Sequence, residues 1–244
     1  MSLTVPLKIF RYKPGRPAHY QSYRVQLAET ANVLDGIEAA WAQHDRSLTF
    51  RHACHHASCG SCAVRINGLE KLPCITPVAE SLAGAANGEL LIEPLRNFPL
   101  VSDLVVDVTG FFQRMSASGM VITRQAEPAL EDRPVQLAEG LDRYTRFENC
   151  IECGICVSAC PTMATDDRFF GPAGLAGLQR ARLETRDPAR AASLLALADG
   201  EHGVWRCHSA FECTEACPQA VDPAGAIMAL RGDLLGQRFR RRFP

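Results

Sequence analysis

The stretch Cys150-Ile-Glu-Cys153-Gly-Ile-Cys156-Val-Ser-Ala-Cys160-Pro161 sets four thiols at intervals of two, two and three residues and closes the run with proline. This is the bacterial ferredoxin run, in which the first three cysteines grip one iron-sulfur cluster and the fourth reaches a second. A partner run is therefore required. It occurs as Cys207, Cys213 and Cys217-Pro218. Aligned on the final x3-Cys-Pro, its four positions fall at 207, 210, 213 and 217, and position 210 is Ala210. Exchanging fourth cysteines gives one complete site, Cys150, Cys153, Cys156 and Cys217, and one three-thiolate site, Cys160, Cys207 and Cys213. A cubane corner without a thiolate tends to lose its iron, so the two sets predict a [4Fe-4S] and a [3Fe-4S] cluster.

Outward toward the N-terminus, Cys54, Cys59 and Cys62 stand as C-x4-C-x2-C, with Cys74 further on. That is the plant-type [2Fe-2S] pattern. The loop His55-His56-Ala57-Ser58 must wrap a cluster closely enough for backbone N-H groups to reach its sulfurs, and the small residues Ala57, Ser58, Gly60 and Ser61 permit that approach. Four thiolates also suit tetrahedral zinc, and a zinc-stabilised interaction protein is the alternative reading. Zinc ribbons pair two C-x2-C hairpins, however, and Cys74 stands alone. The three sets use all 11 cysteines. His55 and His56 lie where Rieske-type ligands would, but four cysteines already complete the site, so both are read as loop residues.

The 244 residues suit two domains, with 47% hydrophobic residues to build their cores. The formal net charge of -1 offers no basic field for nucleic acid, which is excluded as a partner. Cysteines in metal-ligand spacing imply a reducing compartment. Met1 to Phe10 has no signal-peptide pattern, and no run approaches 18 apolar residues, so any membrane contact is expected through a partner.

The first domain is expected over residues 1–105. Leu3 to Phe10 and Tyr23 to Leu27 read as strands around a Lys13-Pro14-Gly15 turn. Val33, Leu34, Ile37, Ala40 and Trp41 mark one face of a helix. Leu48 to Arg51, Ala63 to Ile66 and Glu89 to Leu95 read as short strands, with a tight hairpin at Asn67-Gly68. The second domain, 106–244, is expected to be largely helical. Its predicted helices begin with one carrying Leu104, Val105, Val108, Phe111, Phe112 and Met115. Gly119 to Pro134 reads as a connection. Further helices are expected before Cys150, over 173–184 and 189–198, and from Asp222-Pro223, where Ile227, Leu230, Leu234 and Leu235 form an apolar stripe. The fold class is therefore α+β: a β-grasp ferredoxin domain, then an all-α two-cluster domain. No dinucleotide fingerprint or Walker motif occurs.

With its cluster order and the segments Arg51-His-Ala-Cys54, Cys59-Gly-Ser-Cys62-Ala, Asp103-Leu-Val-Val-Asp107, Gly171-Pro-Ala-Gly174 and Cys207-His-Ser209, the chain resembles the iron-sulfur subunits of the succinate dehydrogenase and fumarate reductase family over nearly its whole length. The resemblance implies electron relay in the order flavin, [2Fe-2S], [4Fe-4S], [3Fe-4S], quinone. FAD would lie on a partner flavoprotein, quinone at a membrane-anchor interface, and the complex on the cytoplasmic side of the inner membrane. It also implies a quinone-side role for His208, joined by Pro161, Trp205, Arg206 and Arg231. One departure stands out. Where many ubiquinone-linked relatives carry aromatic residues after Cys-Pro, this chain reads Thr162-Met-Ala-Thr-Asp-Asp167. A menaquinone-type pocket, or the ends of a soluble thiol-linked fumarate reductase or another flavoprotein oxidoreductase, stay open on that ground. Arg238, Arg240, Arg241 and Arg242 suit either an anionic surface or a frayed, solvated tail.

Overall fold

The structure, a computed structural model, describes residues 2–121, 144–185 and 187–242. It comprises two units: Met1–Gly110 with Ile151–Ala159 and Ala216–Pro218, and Phe111–Cys150 with Cys160–Glu215 and Gln219–Pro244.

In the first unit, β1 (Ser2–Arg11) and β2 (His19–Ala28) pair antiparallel along their full length, with Ser2 opposite Ala28 and Arg11 opposite His19. Alternation places Val5, Leu7 and Ile9 on one fully buried face. Helix α1 (Val33–Gln43) packs Val33, Ile37 and Ala40 into the same core, and its start is fixed where the Asn32 amide donates to Asp35 Oδ2 at 2.8 Å. Strands β3 (Val64–Ile66) and β4 (Leu69–Lys71) are joined by Asn67 and Gly68, both at positive φ as a primed two-residue turn requires. A 3-10 turn (Pro73–Ile75) and α2 (Val78–Ala83) precede β5 (Leu90–Glu93). Strand β5 runs parallel to β1 and antiparallel to β3, giving the mixed order β2-β1-β5-β3-β4 of a β-grasp sheet.

Three expectations fail here. Leu48 to Arg51 is extended but not a strand, because a side chain takes the backbone donor that a ladder would use: the Thr49 amide donates to Asp103 Oδ2 at 2.8 Å. Asp103 is fully buried and also accepts from Arg11 Nε (3.1 Å), the Tyr12 amide (2.9 Å) and Lys13 Nζ (2.7 Å). Burial alone would raise this carboxyl, but donation from Lys13, the two amides and Arg11 outweighs it and holds Asp103 below the usual carboxylate range. The helix expected from Leu104 starts later. Leu100–Ser102 (β6) and Val105–Val106 (β7) form a hairpin, and α3 covers only Thr109–Ala117. At Val105-Val106 the β-branched preference for extended backbone prevails over the helical spacing. Trp41 is also not core. It is 36% exposed, with the Arg46 guanidinium 4.0 Å from its ring centroid.

Helices dominate the second unit. Short α4 (Thr145–Glu148) precedes the first cysteine run, whose residues Ile155–Ala159 form α5 and belong to the first unit. A 3-10 turn (Thr162–Ala164) leads to α6 (Gly171–Glu184), buried from Gly171 to Gln179 and at Ala181. Helix α7 (Pro188–Ala198) is capped by Asp187, whose Oδ1 accepts from the Ala189 amide at 2.9 Å. After a 3-10 turn (Val204–Arg206) and α8 (Glu212–Glu215) comes α9 (Pro223–Arg242), started by Asp222 accepting from the Gly225 amide at 2.9 Å. Helix α6 packs on α7 and α9. Ile227, Leu230 and Leu234 are core, whereas Leu235 lies off the stripe and is exposed. The arginine tail is helical through Arg242 rather than frayed. Most of the connection expected over Gly119 to Pro134 lies outside the described residues.

Candidate cluster-binding sites

No disulfide joins any of the 11 cysteines. In the first unit the segment from Arg51 to Ala63 has no regular element, and His55, Ala57 and Gly60 take positive φ values of 62°, 59° and 68°. These reversals curl the loop so that the amides of His56, Ser58 and Cys59 converge on Cys54 Sγ at 3.5, 3.3 and 3.3 Å. Such a nest of N-H groups favours an anionic sulfur. Donation from His56, then from Cys59 and Ser58, outweighs burial and lowers the Cys54 thiol to about 7. Cys62 and Cys74 are buried against Leu34, Leu72, Leu95 and Ile155. There burial, and then the neighbouring Cys74 thiol, pushes Cys62 up to about 12. A thiol that resists ionising alone, as Cys62 does, is suited to a centre whose ferric iron supplies the missing positive charge. The four cysteines therefore fit a [2Fe-2S] cluster, with two ligands toward solvent and two sealed in an apolar wall.

Gly60 marks how tightly this loop is seated. A Cβ there would lie 2.8 Å from both Cys153 Cβ and the Ile151 carbonyl oxygen. Ile155 of α5 is fully buried in the same apolar cluster. Polar contacts fasten α5 as well. Ser158 Oγ donates to Glu70 Oε1 (2.9 Å) and accepts from the Arg96 amide (2.8 Å), and Asn97 Nδ2 donates to the Val157 carbonyl (2.8 Å). None of these partners is marked in the sequence, because each joins residues far apart in the chain. Of the proposed four-iron set, Cys153, Cys156 and Cys217 fall in the first unit and Cys150 in the second.

The three-thiolate set lies wholly in the second unit. Cys160, Cys207 and Cys213 line one small cavity together with Pro161, His208 and Ala210. Burial, then the nearby Cys160 and Cys207, pushes the Cys213 thiol up to about 12. Burial raises Cys160 as well. The Ser209 amide, at φ 58°, donates to Cys207 Sγ at 3.3 Å. Three thiols lining one cavity beside Ala210, with no fourth cysteine there, fit a three-iron cluster.

The other residues singled out in the sequence spread around this cavity. His208 is exposed at its rim. Arg231 does not line it. Its guanidinium donates to the Val204 carbonyl (2.7 Å), the Ser209 hydroxyl (2.8 Å) and the Cys207 carbonyl, clamping the Cys207-His208-Ser209 segment. Trp205 Nε1 donates to Asp199 Oδ1 at 2.6 Å, and the guanidinium groups of Arg231 (5.7 Å) and Arg238 (5.0 Å) both lie over its ring. Arg206 pairs with Asp166 at 3.3 Å.

Comparison with known proteins agrees with this layout. Residues 6–113 match the 2Fe-2S iron-sulfur cluster binding domain, and residues 146–221 match the 4Fe-4S dicluster domain. The chain is 40% identical to the fumarate reductase iron-sulfur subunit of Mycobacterium tuberculosis, covering 91% of this chain and 90% of that one. It is 34% identical to the fumarate reductase iron-sulfur subunit of Haemophilus influenzae, over 91% of this chain and 89% of the relative. It is also 34% identical to a mitochondrial succinate dehydrogenase [ubiquinone] iron-sulfur subunit of Oryza sativa, over 92% and 73% respectively. A solved chain of the Mycobacterium smegmatis Sdh1 complex in the apo form superposes with TM-score 0.82 at 24% identity, covering 98% of both chains, which establishes a shared fold.

Proposed function

Since the chain belongs to the family of iron-sulfur subunits of succinate dehydrogenase and fumarate reductase, we propose which of its residues carry the family's function. The protein is the electron-transfer subunit of an oxidoreductase complex. It works with a flavoprotein, which carries FAD and the dicarboxylate chemistry, and with membrane anchor subunits that hold the quinone. Three iron-sulfur clusters supply one-electron carriage when bound.

The [2Fe-2S] set is Cys54, Cys59, Cys62 and Cys74. The [4Fe-4S] set is Cys150, Cys153, Cys156 and Cys217, and the [3Fe-4S] set is Cys160, Cys207 and Cys213. The chain's own contribution is placement and tuning. Amides at Cys54 and Cys207 donate to ligand sulfur, and such hydrogen bonds favour the reduced, more negative cluster. Pro161, Trp205, Arg206, His208 and Arg231 form the quinone side, with His208 as the hydrogen-bond donor to a quinone oxygen and Arg231 holding the segment that presents it. The functional boundary between the two ferredoxin domains is put at 105/106. Among the described residues no helix is long and apolar enough to cross a membrane. The subunit is peripheral and held by its partners, and we place it on the cytoplasmic face of the inner membrane.

The observation that supports the reading is that Cys160, Cys207 and Cys213 line one cavity that Ala210 also lines. Anaerobic purification followed by metal counting tests it. The ligand sets call for about nine irons per chain, and a preparation in which zinc replaces that iron overturns the assignment.

A further inference from the structure

The histidines of the first cysteine loop do more than fill it. His52 and His55 meet Glu38, which projects from α1. His52 Nδ1 and His55 Nε2 are 3.1 Å apart, and Glu38 Oε1 lies 3.1 Å from the first and 3.4 Å from the second. Three ligand atoms at these separations describe one face of a tetrahedron. Zinc bonds of 2.0–2.1 Å at tetrahedral angles predict edges of about 3.3–3.4 Å.

A hydrogen-bonded triad accounts for the arrangement less well. The two rings meet each other at hydrogen-bond geometry, but Glu38 Oε1, shielded from solvent, accepts no hydrogen bond from either. A proton on one ring serves a single neighbour along a line, whereas a cation at the common point serves all three atoms at once. The rings are also held in place. His52 stacks on Phe50 at 5.1 Å with 22° between planes, and Phe50 in turn packs edge-on against Trp41 at 6.5 Å. His55 sits at positive φ in the curled loop. Access remains, because the His52 and His55 side chains are 42% and 44% exposed beside a cavity of about 640 Å³ that all three residues line.

We propose that Glu38, His52 and His55 form a three-ligand site for a divalent transition-metal ion of the zinc class, with its fourth position filled by water from the adjoining cavity. Two imidazoles and a carboxylate are a donor set such ions take. The site is separate from the thiolate sets, since none of its donors is sulfur. Occupancy would tie the loop carrying Cys54 to α1 and stiffen the solvent-facing half of the [2Fe-2S] seat.

The test uses the full-length, iron-loaded chain, titrated anaerobically with Zn²⁺ and, as a spectroscopic probe, Co²⁺. Expected is one saturable site, filled with no loss of iron, that gives the visible absorption of four-coordinate Co²⁺. Glu38→Gln and His52→Ala should each weaken it at least about tenfold, the lower end for disturbing even an outer-shell partner of a metal. Glu38 lies outside the cysteine loop, so Glu38→Gln remains informative if His52→Ala loses its cluster. Absence of saturable binding, binding unchanged in both variants, or zinc uptake matched by iron release would each overturn the proposal. The last outcome, unlike the first two, would point to displacement at the cysteines and would bear on the cluster assignment instead.

Discussion

In the proposed assignment Ala210 sets the character of the last cluster, because it alone departs from thiolate at the aligned positions of the two runs and lines the cavity of Cys160, Cys207 and Cys213. Ala210→Cys should add one iron per chain and replace the EPR signal of an oxidised [3Fe-4S] centre with [4Fe-4S] behaviour. The added thiolate charge should also lower the potential and slow electron delivery to quinone. An unchanged spectrum and iron content would refute the three-iron assignment. His208 makes a different demand. His208→Ala should reduce quinone-linked turnover while leaving reduction of an artificial acceptor by the flavoprotein nearly intact, as expected for a group beyond the clusters. Equal loss of both activities would return His208 to a structural role. Both residues were visible in the sequence through spacing and motif. The clamp made by Arg231 was not, since carbonyl groups at Val204 and Cys207 carry no sequence signal of their acceptor role.

At the scale of elements, the cysteine loop shows why spacing outperformed propensity. Ligand intervals predicted a wrap with amides facing sulfur, and the three amides at Cys54 bear that out. Gly60→Ala tests how firmly the wrap is seated. The substitution sets a Cβ against Cys153 and Ile151 at positive φ, so it should destabilise the protein by more than about 1 kcal/mol and speed loss of the [2Fe-2S] chromophore under chelator. A variant as stable as the parent, with equal cluster retention, would contradict the seating described. Where expectation missed, a competing local preference had won. Val105-Val106 kept extended backbone despite helical periodicity, and Thr49 gave its amide to Asp103 in place of a strand partner. Glu38 was equally out of reach, because only the tertiary fold brings α1 to His52 and His55.

For the molecule as a whole, the telling feature is that a piece of the second cysteine run is core to the first unit. Ile155 is fully buried among Leu34, Leu72, Leu95 and the proposed ligands Cys62 and Cys74. Ile155→Ala should therefore cost about 2–5 kcal/mol and weaken retention of the [2Fe-2S] cluster, although residue 155 lies more than 80 positions from Cys74. Selective loss of the other two clusters with the first untouched would rule this coupling out. The succession of a β-grasp domain and a helical domain could be anticipated from the sequence, but this insertion could not, since apolar Ile155 looks like any residue between ligands. It also bears on biosynthesis. The first unit is completed by Ala216–Pro218, and at ribosomal speeds the chain between Gly110 and those residues takes ~5–20 s to make. Through that interval the nascent sheet and helix are already out while the wall behind Cys62 and Cys74 is unfinished, so durable loading of the [2Fe-2S] cluster is deferred until residues 216–218 have been made.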